Sequence, residues 1–137
     1  MEEGPSASVV RGSWDAFQTG GIDAMAEFWH PDIEWRAMEG AADDAGVMRG
    51  RARLRRYYQD WLDTIDYELV ELDEVALEEG ERVVALVHTV GRGRLSGAPL
   101  EGRYAIAYTL RDGRIVSGRE YGNAEDAIAA SDLAKGQ

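Results

Sequence analysis

Phe28-Trp29-His30-Pro31-Asp32-Ile33-Glu34-Trp35 is the stretch on which the fold turns. It enters as the end of an apolar helix, passes through a polar turn and leaves as a strand led by aromatics. Pro31 cannot extend a helix and disfavours helical backbone at His30, so His30-Pro31-Asp32 is read as a stop. Upstream, Val9, Val10, Trp14 and Phe17 recur at helical spacing and predict a first helix from Ser6 to about Thr19. Gly20-Gly21 breaks it. Ile22–Trp29 then gives a short second helix burying Met25, Phe28 and Trp29, and Ile33–Ala37 reads as a short strand.

Glu39–Met48 has glycine, alanine and Asp43-Asp44 but no period, which predicts a loop, read as a flap over a pocket mouth. In Gly50–Ile65, Leu54, Tyr57, Tyr58, Trp61, Leu62 and Ile65 follow the i, i+3, i+4, i+7 rule of an amphipathic helix. Strands are predicted over Tyr67–Leu77, Arg82–Arg94, Leu100–Leu110 and Ile115–Tyr121, with a terminal helix over Ala124–Leu133. Arg111-Asp112-Gly113-Arg114 is a two-residue hairpin signal, because Asp-Gly suits a type I′ turn. Helices first and a strand meander after make an α+β domain occupying the whole of 1–137.

The 137 residues suffice for one core, and 45% of them are hydrophobic. There is no cysteine, which excludes disulfides and thiolate chemistry. No apolar run nears the roughly 20 residues of a membrane span. Met1-Glu2-Glu3-Gly4-Pro5 lacks the order of a signal peptide, so the expected compartment is the cytoplasm. A net charge of −11 repels nucleic acid and anionic membranes, and neither is expected as a partner. Arg49, Arg51, Arg53, Arg55 and Arg56 run against that field. Without interleaved aromatics or a Gly-rich loop they read as a solvated helix face neutralised by carboxylates rather than a phosphate site.

Gly20-Gly21, the Phe28–Trp35 stretch, Arg49-Gly50 opening a helix, Gly93-Arg94-Leu95-Ser96-Gly97 and Arg111-Asp112-Gly113-Arg114-Ile115 occur in that order. By them the chain resembles the SnoaL-like family from about Val9 to Ala130. The resemblance implies the cone-shaped fold shared with nuclear transport factor 2 and ketosteroid isomerase. There a curved mixed sheet and N-terminal helices, a cystatin-like α+β roll, enclose one deep apolar pocket. It also implies a small hydrophobic ligand, no cofactor and a homodimer formed through the sheet. By spacing, Ser13 stands where ketosteroid isomerase has its tyrosine, Ala37 at its base and Ile106 near its second Asp. A steroid-isomerase mechanism of that kind is therefore not expected. The fold hosts many chemistries and does not name a reaction.

Strand parity supplies candidates for the chemistry. Arg82–Val90 has one face of Val84, Leu86, His88 and Val90 and another of Val83, Ala85, Val87 and Thr89. By resemblance the first face looks into the cavity. Gly118, Glu120 and Gly122 share a face of the last strand, and the glycines would leave space around the carboxylate. His88 and Glu120 are thus the expected acid/base pair. Against this stand a hydrogen-bonded structural His88 and a Glu120 paired with Arg119 or Arg103. Phe17, Trp29, Trp35, Tyr57, Tyr58, Trp61, Leu86, Tyr104, Ile106 and Tyr108 are the candidate ligand-lining residues. About half of the aromatics are expected to touch the cavity, and only one of Tyr57 and Tyr58 to face inward. Arg36 points opposite to Trp35.

His30, Asp32 and Glu34 lack the spacing of a metal site, so no metal is expected. Asp32 is expected to hydrogen-bond locally in its turn. No Gly-x-Ser-x-Gly elbow or nucleotide-binding Gly pattern is present. The leading expectation is cofactor-free proton transfer beside a carbonyl, giving cyclisation, isomerisation or dehydration. The alternatives are a non-catalytic binder of an apolar ligand and a dimerising domain with a vestigial pocket.

Overall fold

The computed structural model describes residues 3–38 and 46–135, and of residues 131–135 the backbone alone. The elements are α1 (Pro5–Ala26), β1 (Trp29–Arg36), β2 (Val47–Arg49), α2 (Arg51–Thr64), β3 (Ile65–Glu79), β4 (Arg82–Gly93), β5 (Pro99–Arg111), β6 (Arg114–Tyr121) and α3 (Ala124–Lys135). One six-stranded sheet runs in the order β2-β1-β6-β5-β4-β3. Only β1 and β6 pair in parallel. This is the expected α+β architecture. The flap assigned to 39–48 falls, over 39–45, outside the described residues. Val47–Arg49 is a strand paired to β1 instead of loop.

The two predicted N-terminal helices form one kinked element. Gly21 carries φ 76° and ψ −163° inside it, a conformation other L-residues rarely adopt. Its first turn is held from far away in sequence. The amides of Gly4 and Ala7 donate to the Glu78 carboxylate of β3 at 2.6 and 2.9 Å. That places a negative charge on the helix's positive end.

The helix ends at Ala26 and β1 begins at Trp29, before Pro31 rather than after it. Pro31 is tolerated because the pairing of β1 with β6 is interrupted between Trp29 and Glu34. A missing N–H there breaks no ladder bond. The Asp112–Gly113 turn has φ 53° and 79°, the signs of the predicted type I′ hairpin.

α2 and β2, the strand before it, are latched to β1 and α1 by the arginines. Arg51 donates to the Trp29 carbonyl, Arg49 pairs with Glu34 and Arg55 with Asp23. No helix among the described residues is long and apolar enough to cross a membrane.

The sheet packs on both faces. Val83, Ala85 and Val87 of β4 join Ile106, Tyr108, Trp35 and both long helices in the main core. Val84 and Ala105 pack on the other face with Ala127 of α3, flanked by Leu86 and Ala107. β4 is therefore apolar on both sides, and α3 is why.

Candidate functional site: a buried carboxylate in an aromatic cavity

The site sits on the inner face of the sheet, under the two long helices. Register places Ala85, Ile106 and Glu120 side by side on β4, β5 and β6. One step along, Val83, Tyr108, Gly118 and Trp35 form the next row. A Cβ on Gly118 would lie 2.1 Å from the Trp35 ring. The glycine thus admits the indole beside it rather than leaving open space for Glu120.

Glu120 is 7% exposed. The Trp35 indole N–H donates to Oε2 at 2.9 Å, and the Tyr57 hydroxyl donates to Oε1 at 2.8 Å. The Met38 backbone N–H donates to it as well. Neither suspected arginine reaches it. Arg119 lies over the Tyr121 ring at 5.1 Å, and Arg103 pairs with Asp73. Burial pushes the Glu120 pKa above the ordinary carboxylate value, and the three donors offset this only in part. A carboxylate has about four acceptor positions, so three donors leave one for something else.

A cavity of about 280 Å³ opens above this carboxylate. Phe17, Tyr57, Tyr58, Trp61 and Tyr104 line it, as do Trp14, Met25, Leu62, Tyr67, Val70 and Thr89. Glu120 is the one ionisable carboxylate on the lining, and no Lys, Arg or His joins it among the described residues. Burial raises Tyr58 and Tyr104 well above the ordinary phenol value, so both hydroxyls stay protonated. Both tyrosines of the Tyr57-Tyr58 pair face the cavity, not one. Their rings meet at 5.7 Å, and Trp29 stacks on Tyr58 at 6.0 Å.

Other candidates stand behind this lining or away from it. Trp29, Trp35, Ile106 and Tyr108 are buried in the core wall. The Tyr108 hydroxyl accepts from the Trp14 indole N–H at 3.0 Å, and its ring meets Trp35 edge-on. Leu86 faces the outer side with α3. So does His88, which the structure does not bring to Glu120. His88 pairs across the strands with Glu71 and Arg103, and its Nε2 lies 3.1 Å from a Glu101 carboxylate oxygen. The parity expectation chose the wrong face because both faces of β4 are apolar and the strand alone cannot tell them apart.

The remaining polar expectations are local. Ser13 donates to the Val10 carbonyl at 2.6 Å, while Ala37 and Ile106 are core. The Asp32 amide donates to His30 Nδ1 at 3.0 Å, so here the histidine serves the turn and not the aspartate carboxylate. No group of three His, Cys, Asp or Glu side chains among the described residues is placed to hold a metal.

Sequence reasoning missed Trp14, Tyr67, Val70 and Thr89 as lining residues. Trp14 had a signal, since it shares the helical stripe with Phe17. Val70 and Thr89 are register partners, legible only once β3 and β4 are paired.

The family model of the SnoaL-like domain matches residues 10–118. No curated protein matches the chain. Solved structures share its fold. An NTF2-like protein of unknown function from Burkholderia pseudomallei is 19% identical, with TM-score 0.76, covering 93% of this chain and 97% of that one. TerC, co-crystallised with polyporic acid, is 21% identical with TM-score 0.74, covering 96% and 99%. A Xanthomonas campestris protein described as a candidate polyketide cyclase is 23% identical with TM-score 0.69, covering 91% and 95%.

Proposed function

The chain belongs to the SnoaL-like domain family, and we propose that its cavity takes a small apolar carbonyl compound on which Glu120 moves a proton. The observation that carries this is a carboxylate with a raised pKa, unpaired with any cation, on the floor of an aromatic cavity. A raised pKa makes a carboxylate a stronger base once ionised and lets it hold its proton more readily than an ordinary glutamate does. In its ionised form Glu120 takes a proton from the carbon next to the substrate carbonyl, at the acceptor position its three donors leave open. Negative charge then develops on the carbonyl oxygen. Tyr58 and Tyr104, held protonated by burial, are the donors available to that oxygen. Protonated Glu120 returns the proton to a different atom, which yields isomerisation, ring closure or loss of water according to the substrate. The rings of Trp14, Phe17, Trp61 and Tyr67 hold a flat apolar body and exclude water. His88 takes no part.

TerC was crystallised with polyporic acid, so that compound and polycyclic ketones are suitable first probes. Compounds that raise the melting temperature of the native protein identify binders. Hits are then assayed for turnover with the wild type and with Glu120→Gln. The substitution preserves shape, because the Tyr57 hydroxyl can reverse and accept from the new amide. The expected result is binding by both proteins and turnover by the wild type alone. Wild-type turnover by Glu120→Gln removes the proposal. Binding without turnover by the wild type makes the domain a ligand carrier.

A further inference from the structure

We propose that the outer face of the sheet carries a second binding site, separate from the cavity, for a small organic anion bearing a phosphate or carboxylate group. A groove of about 280 Å³ lies there, and its lining includes Arg36, Arg82, Arg119, Ser117, Thr109 and Tyr121. Arg36 and Arg119 are direct register partners on the parallel strands β1 and β6. Ala107 of β5 is the next partner in that row, and Ser117, Thr109 and Arg82 form the row beside it. All of them point away from Trp35, Gly118 and Glu120, as strand alternation requires.

Like charges set directly across two strands repel. Here neither Arg36 nor Arg119 has an ion-pair partner among the described residues, although the chain holds 26 acidic residues against 15 basic ones. Arg119 lies over the Tyr121 ring, which limits its freedom. Neighbouring strands stand about 4.8 Å apart, so two such guanidinium groups can converge on one anion. The Ser117 and Thr109 hydroxyls supply neutral donors one row away. Glu34 also lines the groove, but it pairs with Arg49 and so does not neutralise Arg36 or Arg119. Tyr121, Val47 and Ala130 give the groove an apolar wall, which suits an organic body attached to the anion.

Phenyl phosphate, benzoate and inorganic phosphate are titrated into the wild type, Arg36→Gln/Arg119→Gln and Glu120→Gln while backbone amide signals are followed by NMR. Phenyl phosphate is expected to shift the Ser117 and Arg119 amides, to bind at least tenfold more weakly to the double variant, and to bind Glu120→Gln like the wild type. Benzoate distinguishes a carboxylate site from a phosphate site. Binding of inorganic phosphate as tight as phenyl phosphate would overturn the organic part of the assignment. No binding by the wild type, equal binding by the double variant, or shifts confined to Tyr58 and Tyr104 overturns the site. So does a dimer in sedimentation that Arg36→Glu/Arg119→Glu dissociates, since the groove would then be a contact between two copies of the chain.

Discussion

Glu120 and His88 are titratable side chains two strands apart on the same sheet, and their surroundings differ in almost every respect. Glu120 points inward, is 7% exposed and is held by neutral donors, an indole, a phenol and a backbone amide. His88 points outward, keeps 19% of its side chain exposed and faces the carboxylate of Glu101. On the inner face a charge is desolvated and left without a counter-ion, the arrangement that shifts a pKa and readies a group for proton transfer. On the outer face the His88 ring meets the Glu101 carboxylate and is partly hydrated, a contact that contributes little to stability or chemistry. What separates the two is the direction of one side chain across a sheet roughly one layer thick.

The sharpest way to break this contrast is Glu120→Gln. Loss of a positioned proton-transfer group costs about 10²–10⁴-fold in rate, and turnover of a true substrate is expected to fall at least that far. Gly118→Ala tests the wall that positions Glu120. Its Cβ would sit 2.1 Å from the Trp35 ring. Overpacking of that kind costs about 3 kcal/mol, so denaturant unfolding should show a large loss. An unchanged midpoint would mean that the indole moves away freely.

Tyr57→Phe removes one donor from Glu120. Loss of a hydrogen bond to a charged group costs roughly 1.5–3 kcal/mol. With one stabiliser of the ionised form gone, the Glu120 pKa rises further, and the basic-form limb of the pH–rate profile moves to higher pH. A profile that stays put would show that this bond does not set the pKa. His88→Ala is the small end of the series. Its partly exposed pair with Glu101 contributes at most about 1 kcal/mol, and turnover should stay at the wild-type rate. A lost activity there would erase the distinction between the two faces.

Stability carries the same signature. A carboxyl whose pKa is raised by folding binds its proton more tightly in the native state. Its favourable contribution is present below the unfolded pKa and is lost as pH rises through the higher folded value. Wild type should therefore lose melting temperature relative to Glu120→Gln as pH climbs through that window, and the gap should be constant above it. A wild-type-minus-variant difference in melting temperature that does not change, or that grows more positive with rising pH, would mean Glu120 is not desolvated in the native state.

The order of elements was legible in the chain because its signals are local. Pro31 and the glycines punctuate, the Leu54–Ile65 stripe has helical period, and Asp112-Gly113 dictates its own turn. Glu120 was also within reach, since its alternation with Arg119 and Tyr121 singles it out on the last strand. His88 was misplaced for a physical reason: β4 is apolar on both sides, so its alternation carries no direction. The neighbouring strand did carry it. Tyr104, Ile106 and Tyr108 are bulky on one face, while Arg103, Ala105 and Ala107 are small or charged on the other. Antiparallel pairing of Tyr104 with Val87, and of Arg103 with His88, would have turned the histidine outward. The Glu78 cap on α1 and the Trp35 indole against Gly118 join residues far apart in sequence. No local pattern encodes them.

The most direct test of the account is the titration of Glu120 itself, followed through its side-chain carboxyl carbon by NMR and assigned by the loss of that signal in Glu120→Gln. The expected midpoint lies clearly above that of an ordinary glutamate and moves higher still in Tyr57→Phe. A midpoint at or below the ordinary value, unaffected by Tyr57→Phe, would contradict it, because the cavity floor would then hold a well-solvated carboxylate with no special capacity to carry a proton.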